Sequence, residues 1–260
     1  MSRLVVVSNR LALPREQKPG GLALAMRDAL RANGGIWFGW SGRVRESGDG
    51  DALHVENHGN VQFAMIDLSR QEHEEYYNGF ANRTLWPLLH FRPSLVDFTR
   101  QTWNAYVAVN VRFAEHLVRL LEPDDLVWIH DYHLIPLAGL LRERGVRARL
   151  GFFLHTPFPP LELLRMLPVH RELFDAFAGY DLIGFQTADD LRAFRDYIRH
   201  EASGEMNESG VTSVRGGRRS FRAGVFPIGI DVNAVAALAE DAVHGMTIAN
   251  CRPASKAARW

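Results

Sequence analysis

The chain has 260 residues, with 30 basic and 30 acidic side chains and a formal net charge of zero. That balance argues against a nucleic-acid or membrane-surface partner, and the length suits one large α/β domain or two small ones. The single cysteine, Cys251, excludes an intrachain disulfide, and no apolar run has the length of a membrane span or a signal-peptide core, so a cytoplasmic location is expected.

Arg3 to Ser8 is continuous and β-branched, which predicts a buried strand. A loop rich in proline and charge follows, and Gly20-Gly21 opens a helix from Leu22 to Ala32. Strand, glycine turn and helix make a nucleotide-type opening, although the spacing is not G-x-G-x-x-G. Ile36 to Trp40 is short and aromatic, residues 43–60 read as a loop and hairpin, and Val61 to Leu68 as a strand. Ser69-Arg70-Gln71-Glu72 has the form of a capping box opening a helix through Tyr77. Trp103 to Leu121 is an amphipathic helix stopped by Glu122-Pro123-Asp124-Asp125. Strands at 126–130, 149–154 and 181–185 then alternate with helices at 134–144, 161–167, 170–178 and 188–200. Ser203 to Ser220 is either a flexible loop or a weak hairpin, and Phe221 to Ile230 returns as a strand. Such alternation predicts the α/β class, a mostly parallel sheet with helices on both faces. Val232 to Val243 is an Ala-rich helix, and 244–260 has no convincing period. Residues 1–231 are therefore expected to form the folded lobe, and 232–260 a C-terminal tail that is either natural, or truncated or out of frame.

In an open parallel sheet, ligands bind where strands end at their carboxyl edge. Val127-Trp128-Ile129 runs straight into His130-Asp131-Tyr132-His133, and a second strand ends in His155 before Thr156-Pro157-Phe158-Pro159-Pro160. Asp131 suits a carboxylate that accepts sugar hydroxyls or acts as a base. His155 either touches a reacting sugar or simply ends its strand. Arg10 leaves the first strand, and its guanidinium can fork two phosphate oxygens. At Gly20 and Gly21, backbone N–H groups can approach a phosphate with help from the helix dipole. Tyr76-Tyr77-Asn78-Gly79-Phe80, Trp86-Pro87 and Trp40 are aromatic groups that suit sugar stacking or ordinary core packing. His130, Asp131 and His133 lack H-E-x-x-H spacing and a fourth ligand, so no metal and no other cofactor is expected.

Taken in order, RLVVVSNRLALP, GGLA, GGIWFGWSG, EEYYNGFANRTLWPLLH, VWIHDYHLIPLAGLLR, GFFLHTPFP, YDLIGFQT and VFPIGID resemble the trehalose-6-phosphate synthases, retaining glycosyltransferases of the GT-B architecture. The resemblance covers residues 1 to about 231. It implies two Rossmann-like lobes with the active site between them, this chain matching the N-terminal one. It also implies transfer of glucose from UDP-glucose to glucose 6-phosphate. By the same resemblance, Arg10, Tyr77 and Asp131 hold glucose 6-phosphate, with Trp40 and Trp86 lining the acceptor side. Gly20 and Gly21 approach the donor diphosphate, and His155 sits beside the transferred glucose. Family members run to about twice this length, in keeping with two nucleotide-fold domains. Activity of this chain alone is therefore expected to be impaired; the other reading is a non-catalytic sugar-phosphate-binding or interaction module. Monomer and homo-oligomer both remain open.

Overall fold

The computed structural model describes residues 2–14, 21–46, 51–213, 220–229 and 232–243. Two compact units divide the chain, Met1–Phe226 and Pro227–Trp260. In the first, ten strands form one sheet: β1 (Leu4–Arg10), β2 (Gly35–Arg45), β3 (His54–His58), β4 (Val61–Ser69), β5 (Leu126–His130), β6 (Arg149–Phe153), β7 (Leu182–Phe185), β8 (Glu205–Met206), β9 (Val211–Ser213) and β10 (Phe221–Val225). Their order is β3-β4-β2-β1-β5-β6-β7-β10-β9-β8. The seven from β4 to β10 along this order run parallel, while β3, β9 and β8 are antiparallel additions at the two ends. The polar stretch after residue 203 thus includes a short hairpin, β8 with β9.

Side-chain alternation along a strand splits the core in two. Val5 and Val7 of β1 face the large cluster, with Ile129 of β5 and Phe113 of helix α2 (Arg100–Val118). Val6 faces the other side, where Trp37 and Phe63 meet Met26 and Leu30 of helix α1 (Gly21–Asn33). Helices therefore cover both faces of the sheet, as a buried parallel sheet requires. Two further helices, α3 (Leu137–Glu143) and α4 (Ala188–His200), follow β5 and β7. The second unit contains helix α5 (Val232–Val243). No described helix is long and apolar enough to cross a membrane.

The capping box forms as expected: Ser69 Oγ accepts from the Glu72 N–H at 3.1 Å, and Glu72 accepts from the Ser69 N–H at 2.7 Å. The helix does not stop at Tyr77. It winds on as a π-helix, His73–Leu85, then as an α-helix, Trp86–Leu89. Arg112 of α2 pins its first turn by pairing with Glu72 and with the carbonyl of Asp67 at the end of β4.

Candidate active site

Because β1, β5 and β6 are parallel neighbours, their carboxyl ends lie at one edge. Arg10, Asp131 and His155 are brought together there. Asp131 ends β5 in an unusual backbone conformation, φ 71° and ψ 168°. That region is essentially reserved for glycine and costs about 1–3 kcal/mol elsewhere, so it persists only where the surroundings impose it. Here the Asp131 N–H donates to the Phe153 carbonyl at 2.8 Å. Its carboxylate accepts from the backbone N–H of His155 at 3.3 Å, with the Tyr132 and Thr156 amides beside it. Burial nonetheless pushes the carboxyl up to about 6, and those amides only partly offset it.

The turn after Asp131 is fixed by side-chain donors that catch its carbonyls. Tyr106 Oη donates to the Tyr132 carbonyl at 2.6 Å, Asn110 Nδ2 to the His133 carbonyl at 3.0 Å, and Tyr180 Oη to the Leu134 carbonyl at 2.9 Å. Asn110 is fully buried on α2, and this is its reason for sitting on an apolar face.

His155 hydrogen-bonds through Nε2 to Nδ1 of His130 at 2.9 Å, the rings stacked with 5.2 Å between centroids. His130 is buried against Trp128. Burial holds His130 well below the ordinary imidazole range and lowers His155 to about 4. His133, buried between Tyr77 and Tyr132, is lowered to about 3 by the same cause. All three rings are therefore neutral at pH 7. The expected result is that their imidazole carbon resonances stay unshifted from pH 8 down to about pH 5; a midpoint near 6.5 for any of them would contradict it.

Arg10 is exposed at the end of β1, in register with Trp40 of β2. Its guanidinium lies over Gly42, where a β-carbon would come within 2.9 Å of Arg10 Nε. Gly42 also has φ +88°, a conformation side chains rarely adopt. Beside Arg10, Asn9 is buried, and its Oδ1 accepts from Tyr76 Oη at 2.7 Å.

The aromatic candidates separate. Tyr77 is half-buried, 5.4 Å from the Trp40 ring and stacked on His133. Trp40 is only 4 % exposed and its indole N–H donates to the Arg43 carbonyl at 2.6 Å, so it backs Tyr77 rather than facing solvent. Trp86 is 44 % exposed and stacks on His90, outside the Trp40–Tyr77–His133 stack. Gly21 opens α1, while Gly20 lies outside the described residues, as does the 244–260 segment. Among the described residues no cluster of three or more His, Cys, Asp or Glu is arranged to hold a metal.

Sequence reasoning passed over Asn9, Tyr106, Asn110, Tyr180 and Gly42, and weighed His133 only as a metal ligand. Only Asn110 left a readable signal, a polar residue on the core stripe of an amphipathic helix.

Residues 3–248 match the family model described as glycosyltransferase family 20. A trehalose-6-phosphate synthase from Klebsiella pneumoniae is 48 % identical over 233 residues, which are 89 % of this chain and 48 % of that protein. The crystal structure of an alpha,alpha-trehalose-phosphate synthase (UDP-forming) from Burkholderia xenovorans in complex with glucose-6-phosphate superposes with a TM-score of 0.89 at 47 % identity, covering 96 % of this chain and 54 % of the other. A structure from E. coli bound with UDP-2-fluoro glucose gives 0.83 at 42 % identity, covering 94 % and 54 %. The chain thus spans about half the length of the curated relatives it matches. On the extent of the family match and the shared fold, the chain belongs to glycosyltransferase family 20.

Proposed function

We propose that this chain carries the acceptor side of an enzyme that moves glucose from UDP-glucose to glucose 6-phosphate, releasing UDP and trehalose 6-phosphate with retained anomeric configuration. The observation that carries the reading is the meeting of Arg10, Asp131 and His155 at one sheet edge, with Asp131 held in a strained conformation. The Burkholderia relative, UDP-forming and bound to glucose-6-phosphate, supports the substrates.

In this reading Arg10 grips the phosphate and Asp131 accepts hydrogen bonds from the acceptor's hydroxyls. Tyr77 stacks on the sugar with Trp40 behind it, and Trp86 stands further along the same helix. His155, neutral and braced by His130, adjoins the glucose being transferred. Gly20 and the amide end of α1 at Gly21 approach the donor diphosphate. Retention requires the acceptor hydroxyl on the face the leaving group departs from, so the acceptor's placement is itself a catalytic contribution. The remaining demand is stabilisation of an oxocarbenium-like centre and a departing diphosphate by preorganised dipoles.

Product analysis tests this. Together with the second lobe of a full-length relative, the chain given UDP-glucose and glucose 6-phosphate should release UDP and a disaccharide monophosphate by mass spectrometry, with much weaker turnover by the chain alone. Tight binding of glucose 6-phosphate with no disaccharide from any nucleotide sugar would favour the non-catalytic module instead.

Gly42→Ala is expected to push the Arg10 guanidinium aside. The loss of a charge-assisted hydrogen bond, about 1.5–3 kcal/mol, weakens glucose 6-phosphate binding about tenfold or more and leaves the affinity for unphosphorylated glucose unchanged. Calorimetry with both sugars checks this, and an equal loss for both would show general damage instead.

A further inference from the structure

The winding of His73–Leu85 decides which of its side chains share a face. With i to i+5 bonding and about 4.4 residues per turn, each π-helical residue advances about 82°. Measured from His73, Tyr77 then falls at about −33°, Asn82 at about +16° and Trp86 at about −16°. An ordinary α-helix, advancing about 100° per residue, would carry Asn82 to about 180° and Trp86 to about −140°. The Trp86 N–H still bonds five residues back, to the Ala81 carbonyl, so the π register reaches it. The contacts agree. His73 and Tyr77 lie 5.6 and 5.4 Å from the Trp40 ring, and Asn82 Oδ1 accepts from Tyr132 Oη at 3.3 Å. Trp40 and Tyr132 both belong to the strand edge that carries Arg10 and Asp131. The stripe of His73, Tyr77, Asn82 and Trp86 therefore faces the site, and Asn82 stands between the two aromatic candidates.

The Tyr132 hydroxyl donates to Asn82 Oδ1 at 3.3 Å, which turns the oxygen end of the amide toward Tyr132. The amide N–H groups of Asn82, a partly exposed residue, are left as donors on the site-facing stripe.

We propose that Asn82 is a further acceptor-recognition residue, whose amide N–H groups donate to a ring hydroxyl of the bound sugar phosphate and so read its configuration. This rests on the acceptor reading of Arg10 and Asp131. Tyr132 is then a positioning residue that fixes the amide, and the π winding brings both into reach.

The test compares the wild-type protein with Asn82→Ala, Asn82→Asp and Tyr132→Phe by calorimetry. The probes are glucose 6-phosphate, its C2, C3 and C4 epimers, and unphosphorylated glucose. A site built to hydrogen-bond a hydroxyl discriminates strongly against ligands that cannot supply it. Both Asn82 variants should bind glucose 6-phosphate about tenfold more weakly and lose their preference for it over at least one epimer. The ratio of glucose 6-phosphate to glucose affinity should stay as in wild type, since Arg10 is untouched. Tyr132→Phe should shift the same epimer ratio by a smaller factor. Asn82→Asp has nearly the wild-type shape, so it serves if Asn82→Ala does not fold. Wild-type epimer ratios in both folded Asn82 variants would overturn the proposal, as would equal losses for every ligand. No preference for glucose 6-phosphate over glucose in the wild type would instead overturn the acceptor reading itself.

Discussion

Asp131→Asn should give a chain that is more stable at pH 8 than the wild type and binds glucose 6-phosphate at least tenfold more weakly. Both effects come from one carboxylate. Burial raises the Asp131 carboxyl from 3.8 to about 6. An acid whose folded-state pKa lies above its unfolded value costs stability as pH rises. The full stability is present below about pH 4, is lost between about pH 4 and 6, and is constant above that window. A shift of about two units amounts to about 3 kcal/mol. Asparagine has no charge to bury and nearly the shape of aspartate, so the substitution should recover about 2 kcal/mol of that. The same change removes the anion that accepts the acceptor's hydroxyls, worth about 1.5–3 kcal/mol of binding. In the wild type, acceptor affinity should accordingly fall as pH drops through about 6, and the variant should lack that dependence. Denaturant unfolding at pH 4 and pH 8, with calorimetry at each, measures all of this. Equal stability of the two proteins at both pH values would show that the ionised carboxylate is not under strain.

Gly39→Ala should unfold the chain or destabilise it by about 4 kcal/mol or more, the range in which a single named steric mechanism dominates. A β-carbon at Gly39 would lie 2.2 Å from the Ser8 carbonyl oxygen and 3.5 Å from that of Asn9. Both are backbone atoms of β1, the strand paired with β2 at the middle of the parallel sheet, so no side chain can turn aside to relieve the clash. Glycine inside a strand commonly marks such a close approach. The contrast with Gly42 is informative: there the obstructing atoms belong to the flexible Arg10 side chain, so the clash displaces the ligand-binding group, and only the positive φ adds a backbone strain of about 1–2 kcal/mol to the fold. A Gly39→Ala chain within about 1 kcal/mol of wild type would show that β1 and β2 do not approach this closely.

The strand–helix alternation was legible because each element carries its own period. β5 at 126–130, α4 at 188–200 and α5 at 232–243 fall where the residues place them. Ends were less legible. α2 begins at Arg100 because Thr99 Oγ accepts from the Thr102 N–H, a cap the apolar pattern does not display. The expected helix at 170–178 divides into an α-helical and a 3-10 turn. The π-helix escaped a reading tuned to 3.6 residues per turn, although its buried Tyr76, Phe80 or Ala81, and Leu85 recur every four to five residues. The placement of Arg10, Asp131 and His155 at one sheet edge was legible because shared strand ends are a consequence of parallel topology. The packing of His133 between Tyr77 and Tyr132 and the pairing of Asn9 with Tyr76 were not, because each depends on which ring or hydroxyl another element brings alongside. Trp40 shows the same limit: its aromatic character was plain, but its burial behind Tyr77 was set by the packing of β2 against the π-helix.

The most direct measurement compares the affinities of the wild-type chain and Arg10→Ala for glucose 6-phosphate and for glucose. The wild type should prefer the phosphorylated sugar by about tenfold or more, and Arg10→Ala should bring that ratio close to one while binding glucose as before. Equal affinity for the two sugars in the wild type, or an unchanged preference in Arg10→Ala, would contradict an acceptor site built on Arg10 and Asp131.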